Sequence, residues 1–113
     1  MATCLISSVK AARARANLTA GGLIDLVEVR EGDALKTLSV DLPDTIDLVL
    51  LDGAKALYPE ILSLVESRLK SGALIIADNA DMSPDYLKSV RSPANGYMSV
   101  AFAADVELSM RIN

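Results

Sequence analysis

The chain has 113 residues and a net charge of −4, with no histidine and one cysteine. This length suits one small domain spanning residues 1–113. The missing histidine and single cysteine exclude Ser-His-Asp triads, histidine metal sites, CxxC redox pairs and intrachain disulfides. No Lys/Arg block is present to follow a phosphate backbone, so we expect no nucleic-acid partner. No apolar run approaches the roughly 20 residues of a membrane helix, and no signal peptide is evident, so we expect no membrane association and a cytoplasmic protein.

The first forty residues alternate between helical and strand patterns. Residues 7–20 are rich in alanine and predict a helix that Gly21 and Gly22 end. Residues 26–30 predict a short strand, and a turn at Gly32 and Asp33 leads into a short helix over 34–40.

Two segments, 46–51 and 73–77, carry consecutive apolar residues without alternation and predict strands that are buried on both faces. The helix predicted between them has an apolar stripe and ends at Gly72. The stripe consists of Leu57, Ile61, Leu64, Val65 and Leu69. Ser83 and Pro84 begin another helix, with the serine at its cap.

The end of the chain predicts an antiparallel hairpin. Residues 97–102 form its first strand, and Ala104 and Asp105 form the turn. From Val106 to Ile112 apolar and polar residues alternate, as in a strand with one face in water. The predicted fold is therefore α/β: a Rossmann-like three-layer sandwich whose sheet is mostly parallel and closes with this hairpin.

Carboxylates follow both apolar strands. Asp52 comes directly after the first, and Asp78 with Asn79 comes after the second. If the strands are neighbours, their ends meet at the edge of the sheet where ligands bind. Two carboxylates and an amide oxygen suit Mg²⁺, Mn²⁺ or Ca²⁺. Either aspartate taken alone could equally be a helix cap or turn residue.

Lys55 lies three residues after Asp52, at the entry to the next helix. Its ammonium could neutralise the carboxylates, or its amine could act as a base if its pKa were lowered. A lysine that only contacts solvent is the common alternative.

Several segments resemble the cation-dependent O-methyltransferases of the catechol and caffeoyl-CoA type. The first runs from Asp47 to Tyr58 and contains Asp52 and Lys55 as DxxK. The second runs from Leu69 to Asn79 and ends in Asp-Asn. Residues 29–35 are similar to the segment beside the cofactor's adenine, and residues 3–5 with the following helix align just before it.

This resemblance implies a class I fold that binds S-adenosylmethionine. It implies that Asp52, Asp78 and Asn79 are metal ligands and that Lys55 is the catalytic base. It also places Asp33 and Ala34 near the adenine, with Asp52 beside the cofactor as well. The substrate would be a small molecule with a hydroxyl group, such as a vicinal diol, which attacks the sulfonium methyl group.

Two departures from the family's pattern bear on activity. The family's first strand and its glycine-rich loop would precede Thr3, so we expect the domain to lack both; Gly21 and Gly22 fit a helix end better. Cys4 aligns where relatives carry a glutamate that holds the ribose, and a small buried apolar residue is its simpler role. The missing strand would leave open sheet edges, which predicts a homodimer or an exchanged oligomer.

Two functions remain open at this point. The first is an S-adenosylmethionine-dependent O-methyltransferase that uses a divalent cation. The alternative is a truncated, non-catalytic methyltransferase-like module that serves in oligomerisation.

Overall fold

The computed structural model describes the backbone of residues 2–6 and 8–113 and the side chains from Lys10 onward. Strands and helices alternate along most of the chain, as the sequence predicts. The strands are β1 (Ala2–Ile6), β2 (Val27–Glu31), β3 (Ile46–Leu51), β4 (Leu69–Ala77), β5 (Tyr97–Ala101) and β6 (Glu107–Arg111). The helices are α1 (Ser8–Ala20), α2 (Ala34–Thr37), α3 (Tyr58–Val65) and α4 (Pro84–Val90). None of these helices is long and apolar enough to cross a membrane.

The chain divides into two compact units, and the first covers Met1–Val40. Here β1 and β2 pair in parallel, with Cys4 opposite Val29. Helix α1 ends as predicted: the amide of Leu23 donates to the carbonyl of Leu18 at 2.8 Å, and Gly22 has a positive φ of 73°. Glycine adopts this left-handed conformation without steric cost, which explains the helix stop.

The second unit, Asp41–Asn113, contains a four-stranded sheet in the order β3-β4-β6-β5. Strands β3 and β4 are parallel, whereas β6 is antiparallel to both β4 and β5. This arrangement confirms the predicted α/β class with a closing antiparallel hairpin. Within the described residues, β1 pairs only with β2 and β3 only with β4, so the strands form two sheets.

The core of this unit lies between the four-stranded sheet and the helices α3 and α4. Three buried tyrosines are its largest side chains, and the rings of Tyr58 and Tyr86 meet edge to face with centroids 5.7 Å apart. Such aromatic pairs add stability beyond the apolar area that they bury. The third tyrosine is Tyr97, and the core also includes Leu51, Leu62, Leu69, Ala73, Ile75, Ala77, Ala80 and Val90.

Helix α3 is shorter than the sequence predicts. It ends at Val65, a single 3₁₀ turn follows over Glu66–Arg68, and β4 already begins at Leu69. Leu69 leaves the helical conformation to pair with Ile46 on the neighbouring strand, so tertiary pairing overrides the local helical pattern. Gly72 therefore does not end a helix; it lies inside β4, with a φ of 89°.

Other elements also differ at their ends from the sequence-based boundaries. Helix α2 is only one turn long, shorter than the helix predicted over residues 34–40. The hydrophobic pattern of the sequence does not predict the strand β1. Ser83 stands at the cap position of α4, but its hydroxyl donates to the carbonyl of Lys55 at 2.8 Å and does not cap the helix.

The prediction that β3 and β4 are buried on both faces is wrong. Leu48 and Leu50 are 57% and 66% exposed, and Leu74 is 39% exposed. The reason is that α3 and α4 pack on the opposite face of the sheet, where Leu51 and Ile75 are buried.

The alternation in β6 also faces the opposite way from the prediction. Glu107 and Ser109 are the buried residues, at 1% and 0% exposure. Arg91 donates two hydrogen bonds to the Glu107 carboxylate, at 2.9 and 2.8 Å, and Ser99 donates a third at 2.6 Å. Buried polar groups are tolerated when they are paired in this way.

Candidate functional site

The ends of β3 and β4 bring Asp52 and Asp78 to the same edge of the sheet. Leu51 is the register partner of Ala77, and the amide of Asp78 donates to the carbonyl of Leu51 at 2.9 Å. Each aspartate is the residue directly after one member of this pair. The expectation that the two strands are adjacent and end at the same level is therefore confirmed.

The hydroxyl of Tyr58 holds these two strand ends together. It donates to the carbonyl of Leu51 at 3.1 Å and lies 2.9 Å from the carbonyl of Asp78. It also accepts a bond from the amide of Gly53 at 3.4 Å. Tyr58 is 1% exposed, so these contacts are shielded from water. The sequence pattern does not predict this role, because the predicted apolar stripe contains Leu57 and not its neighbour Tyr58, which is the buried residue.

Lys55 lies beside the carboxylates. Its Nζ is 3.8 Å from Oδ1 of Asp52 and 5.5 Å from the centre of the Tyr58 ring. The side chain of Lys55 is only 18% exposed, whereas that of Asp52 is 65% exposed. The Tyr58 side chain, and then the charges of Asp52 and Asp78, raise the pKa of Lys55. As long as the carboxylates have no other cation beside them, these surroundings favour the ammonium form of Lys55, which neutralises their charge.

Asn79 is held in place by the β5–β6 hairpin. It adopts the left-handed conformation with a φ of 51°, which asparagine tolerates better than most residues. Its amide nitrogen donates to Oδ2 of Asp105 at 2.9 Å, and the amide of Ala80 donates to the carbonyl of Asp105 at 2.9 Å. The amide oxygen of Asn79 stays available as an acceptor. Asp105 was predicted only as a turn residue.

The donor set fits a hard divalent cation. Asp52, Asp78 and Asn79 supply two carboxylates and an amide oxygen, the ligand types that Mg²⁺ and Ca²⁺ use. Among the described residues no group of three carboxylate or thiol side chains could hold a metal ion. The predicted set contains only two carboxylates, so waters and a substrate would complete the coordination, as is usual for Mg²⁺.

The residues predicted to lie near the adenine belong to the first unit. Asp33 caps helix α2, because its Oδ1 accepts a bond from the amide of Leu35 at 2.9 Å. Ala34 is the first residue of that helix. Asp33 therefore has a structural role that needs no ligand, and its contact with a cofactor stays a prediction. The side chain of Cys4 lies outside the part of the chain whose side chains the structure describes, so the expected role of Cys4 stays a prediction.

Solved structures match this chain over nearly its whole length. A candidate O-methyltransferase from Klebsiella pneumoniae has a TM-score of 0.84 and 23% identity, over 98% of this chain and 61% of its own. An O-methyltransferase from Bacillus cereus, in complex with SAH, has a TM-score of 0.83 and 21% identity, over 98% and 62%. The cofactor-bound Rv0187 from MTB has a TM-score of 0.83 and 26% identity, over 98% and 62%.

The chain thus spans 61 to 62% of the length of these three structures. No protein-family model matches the sequence, and no curated protein matches it.

Proposed function

We propose that this chain, which has the fold of the class I O-methyltransferases, serves in S-adenosylmethionine-dependent methyl transfer to a hydroxyl group of a small molecule. The observation that carries the proposal is the convergence of Asp52 and Asp78 at one sheet edge, with Asn79 beside them. A site of this composition is what a cation-assisted transfer to a hydroxyl group requires.

The proposed reaction would use S-adenosylmethionine and a divalent cation together with the chain's own residues. S-adenosylmethionine would supply an activated methyl group, and a divalent cation would lower the pKa of the acceptor hydroxyl. Asp52, Asp78 and Asn79 would hold the cation, and Asp33, Ala34 and Asp52 would contact the cofactor. The Tyr58 hydroxyl keeps the two strand ends at a fixed separation.

Lys55 is the proposed base, with its Nζ as the atom that receives the proton of the acceptor hydroxyl. It must first give up its own proton, and its raised pKa opposes this step while the carboxylates lack another cation. While it keeps that proton, the ammonium balances the charge of Asp52 and Asp78.

Calorimetric titration of the full chain tests the proposal. We expect Mg²⁺ to bind the wild-type chain and S-adenosylmethionine to bind more tightly in its presence. Asp78→Asn should weaken Mg²⁺ binding by at least about tenfold, because it removes one of two negative charges at the site. Asp85→Asn, an exposed change in α4, is the matched control and should leave binding unchanged. Binding of neither compound to the wild-type chain would favour the non-catalytic alternative.

The hydrogen bond between Asp105 and Asn79 gives a second test. Asp105→Ala should lower the Mg²⁺ affinity by about tenfold or more, since groups that orient a metal ligand have effects of this size. Asp105→Asn keeps an acceptor oxygen for the Asn79 amide and should retain most of the affinity. The backbone bond from Ala80 survives in both variants, so the loop itself stays anchored. Equal affinity in the alanine and asparagine variants would contradict the orienting role.

A further inference from the structure

The segment that follows β4 is bonded to the turn that follows β3. The hydroxyl of Ser83 donates to the backbone carbonyl of Lys55 at 2.8 Å, although the two residues are 28 positions apart in the sequence. Ser83 is only 4% exposed, so water does not readily take the place of this donor. The bond therefore joins two segments that each contribute residues to the candidate site.

This bond replaces the helix cap that the sequence predicts. A serine directly before a helix normally accepts a hydrogen bond from an amide of the first turn. Ser83 stands at this position before α4, but its side chain makes no capping bond. Local rules of this kind are broken most often where the geometry of a functional site decides the conformation. The hydroxyl thus stabilises the position of Lys55 and not the start of α4.

The carbonyl of Lys55 fixes the turn that carries the lysine. Lys55–Leu57 form a single 3₁₀ turn, and the amide of Tyr58 donates to the same carbonyl. A 3₁₀ turn has poorer hydrogen-bond geometry than an α-helix, so a single turn depends on contacts from outside. The Ser83 hydroxyl is such a contact. The backbone that it fixes directs the Lys55 side chain, whose Nζ lies 3.8 Å from Oδ1 of Asp52.

Ser83 belongs to the same short segment as the proposed cation ligands Asp78 and Asn79. Its amide donates to the carbonyl of Ala80 at 2.9 Å, which makes this segment a compact turn. A displacement of the turn would therefore carry the ligands and Lys55 along together. The distance between the proposed base and the proposed cation would then be kept.

We propose that Ser83 is a positioning residue, whose hydroxyl keeps the Nζ of Lys55 at a constant distance from the proposed cation ligands. A base is effective only within hydrogen-bond reach of the group that loses the proton, and a displacement of about 1 Å can slow a reaction about 100-fold. The importance of this bond for catalysis rests on the proposed function. The positioning of Lys55 does not, so the two can be tested separately.

The lysine side-chain signals in the nuclear magnetic resonance spectrum test the positioning. In the wild-type chain the Nζ of Lys55 lies over the ring of Tyr58, 5.5 Å from its centre, and an aromatic ring shifts the signals of nearby protons. We expect the terminal CH₂ signal of Lys55 to stand apart from those of the other four lysines. Ser83→Ala should move this signal toward them, whereas Ser83→Thr keeps the hydroxyl and should retain the wild-type signal.

Ser89→Ala is the matched control for the loss of a hydroxyl. The Ser89 hydroxyl also donates to a backbone carbonyl, that of Asp85, but this bond lies within α4 itself. The control variant should leave the Lys55 signal unchanged. If Ser83→Ala fails to fold, Ser83→Cys fills the same space with a much weaker donor and should move the signal in the same way.

Two results would overturn the positioning role. The first is a Lys55 signal that is identical in the wild-type chain and in a folded variant without the Ser83 hydroxyl. The second is a displacement in Ser83→Thr as large as that in Ser83→Ala, because the hydroxyl would then not be its cause.

Initial rates with S-adenosylmethionine, Mg²⁺ and catechol as the acceptor test the consequence for catalysis. Ser83→Ala should lower kcat by about 10- to 100-fold and leave the KM for S-adenosylmethionine unchanged, and Ser83→Thr should restore most of kcat. An equal kcat in the wild-type chain and in Ser83→Ala would overturn the catalytic importance of the bond. An inactive wild-type chain whose Lys55 signal still depends on Ser83 would contradict the proposed function and support the positioning role.

Discussion

Replacing Arg91 with methionine should lower the melting temperature by more than about 10 °C at neutral pH. The variant leaves the carboxylate of Glu107, which is 1% exposed, without its two hydrogen bonds from the guanidinium. An unpaired buried charge costs about 3 to 5 kcal/mol of stability in general. Thermal unfolding followed by circular dichroism measures the change.

Two controls separate the charge from the loss of packing. In the double variant Arg91→Met with Glu107→Gln, no buried charge is left, so most of the lost stability should return. Glu107→Gln alone should cost less than Arg91→Met, because the side chain of Arg91 is 50% exposed and can turn to water. A double variant no more stable than Arg91→Met would show that the charge is not the cause.

The contribution of Glu107 to the free energy of unfolding should change with pH in opposite directions in the wild-type chain and in the Arg91→Met variant. Arg91 lowers the pKa of Glu107 below its ordinary 4.5, so in the wild-type chain this contribution is complete above that pH. It is lost as the pH falls through the lowered value. Without Arg91, burial raises the pKa of Glu107, so Arg91→Met should lose less stability near about pH 4 than at neutral pH. Urea unfolding at both pH values measures this.

Tyr58→Phe should destabilise the chain by about 1 to 3 kcal/mol and weaken Mg²⁺ binding as well. The hydroxyl is buried against the backbone carbonyls of Leu51 and Asp78, and without it these acceptors lose a donor that water cannot replace. The ends of β3 and β4 would then be held less firmly at the candidate site. Urea unfolding and calorimetry give the two readouts.

Tyr86→Phe is the matched control for this prediction. Tyr86 is equally buried and its ring contacts the ring of Tyr58, but within the described residues its hydroxyl meets no partner in full hydrogen-bond geometry, and the Ser109 side chain has only a secondary effect on its pKa. Burial raises its pKa to about 12, which keeps the hydroxyl neutral. Removing it should change the free energy of unfolding by less than about 1 kcal/mol. An equal loss in both variants would contradict the bridging role of Tyr58.

The fold class and the hairpin could be predicted because they depend on local patterns. The end of α1 just before Gly21 and Gly22 and the bounds of β3 follow directly from residue type. The end of α3 could not be predicted, because Leu69 is apolar and suits either a helix or a strand. Only its pairing with Ile46 decides between them. The direction in which β6 faces depends likewise on Arg91, which is distant in sequence from Glu107.

Part of the candidate site could also be predicted from local sequence patterns, and the rest depends on long-range contacts. Asp52 and Asp78 could be located because both follow apolar runs, and parallel neighbouring strands end at one edge. Tyr58 and Asp105 act through backbone carbonyls and an amide that sequence spacing does not reveal. The raised pKa of Lys55 also depends on how close it lies to Tyr58, Asp52 and Asp78.

The inward polar residues of β6 also limit how the hairpin can misfold. A slip of one residue would turn Leu108 and Met110 toward the core, which a purely hydrophobic driving force would favour. It would also separate Glu107 from Arg91 and Ser109 from Ser99, leaving the polar groups without partners. The bonds between these two pairs therefore favour the observed register of the hairpin over a shifted register that would bury more apolar side chains.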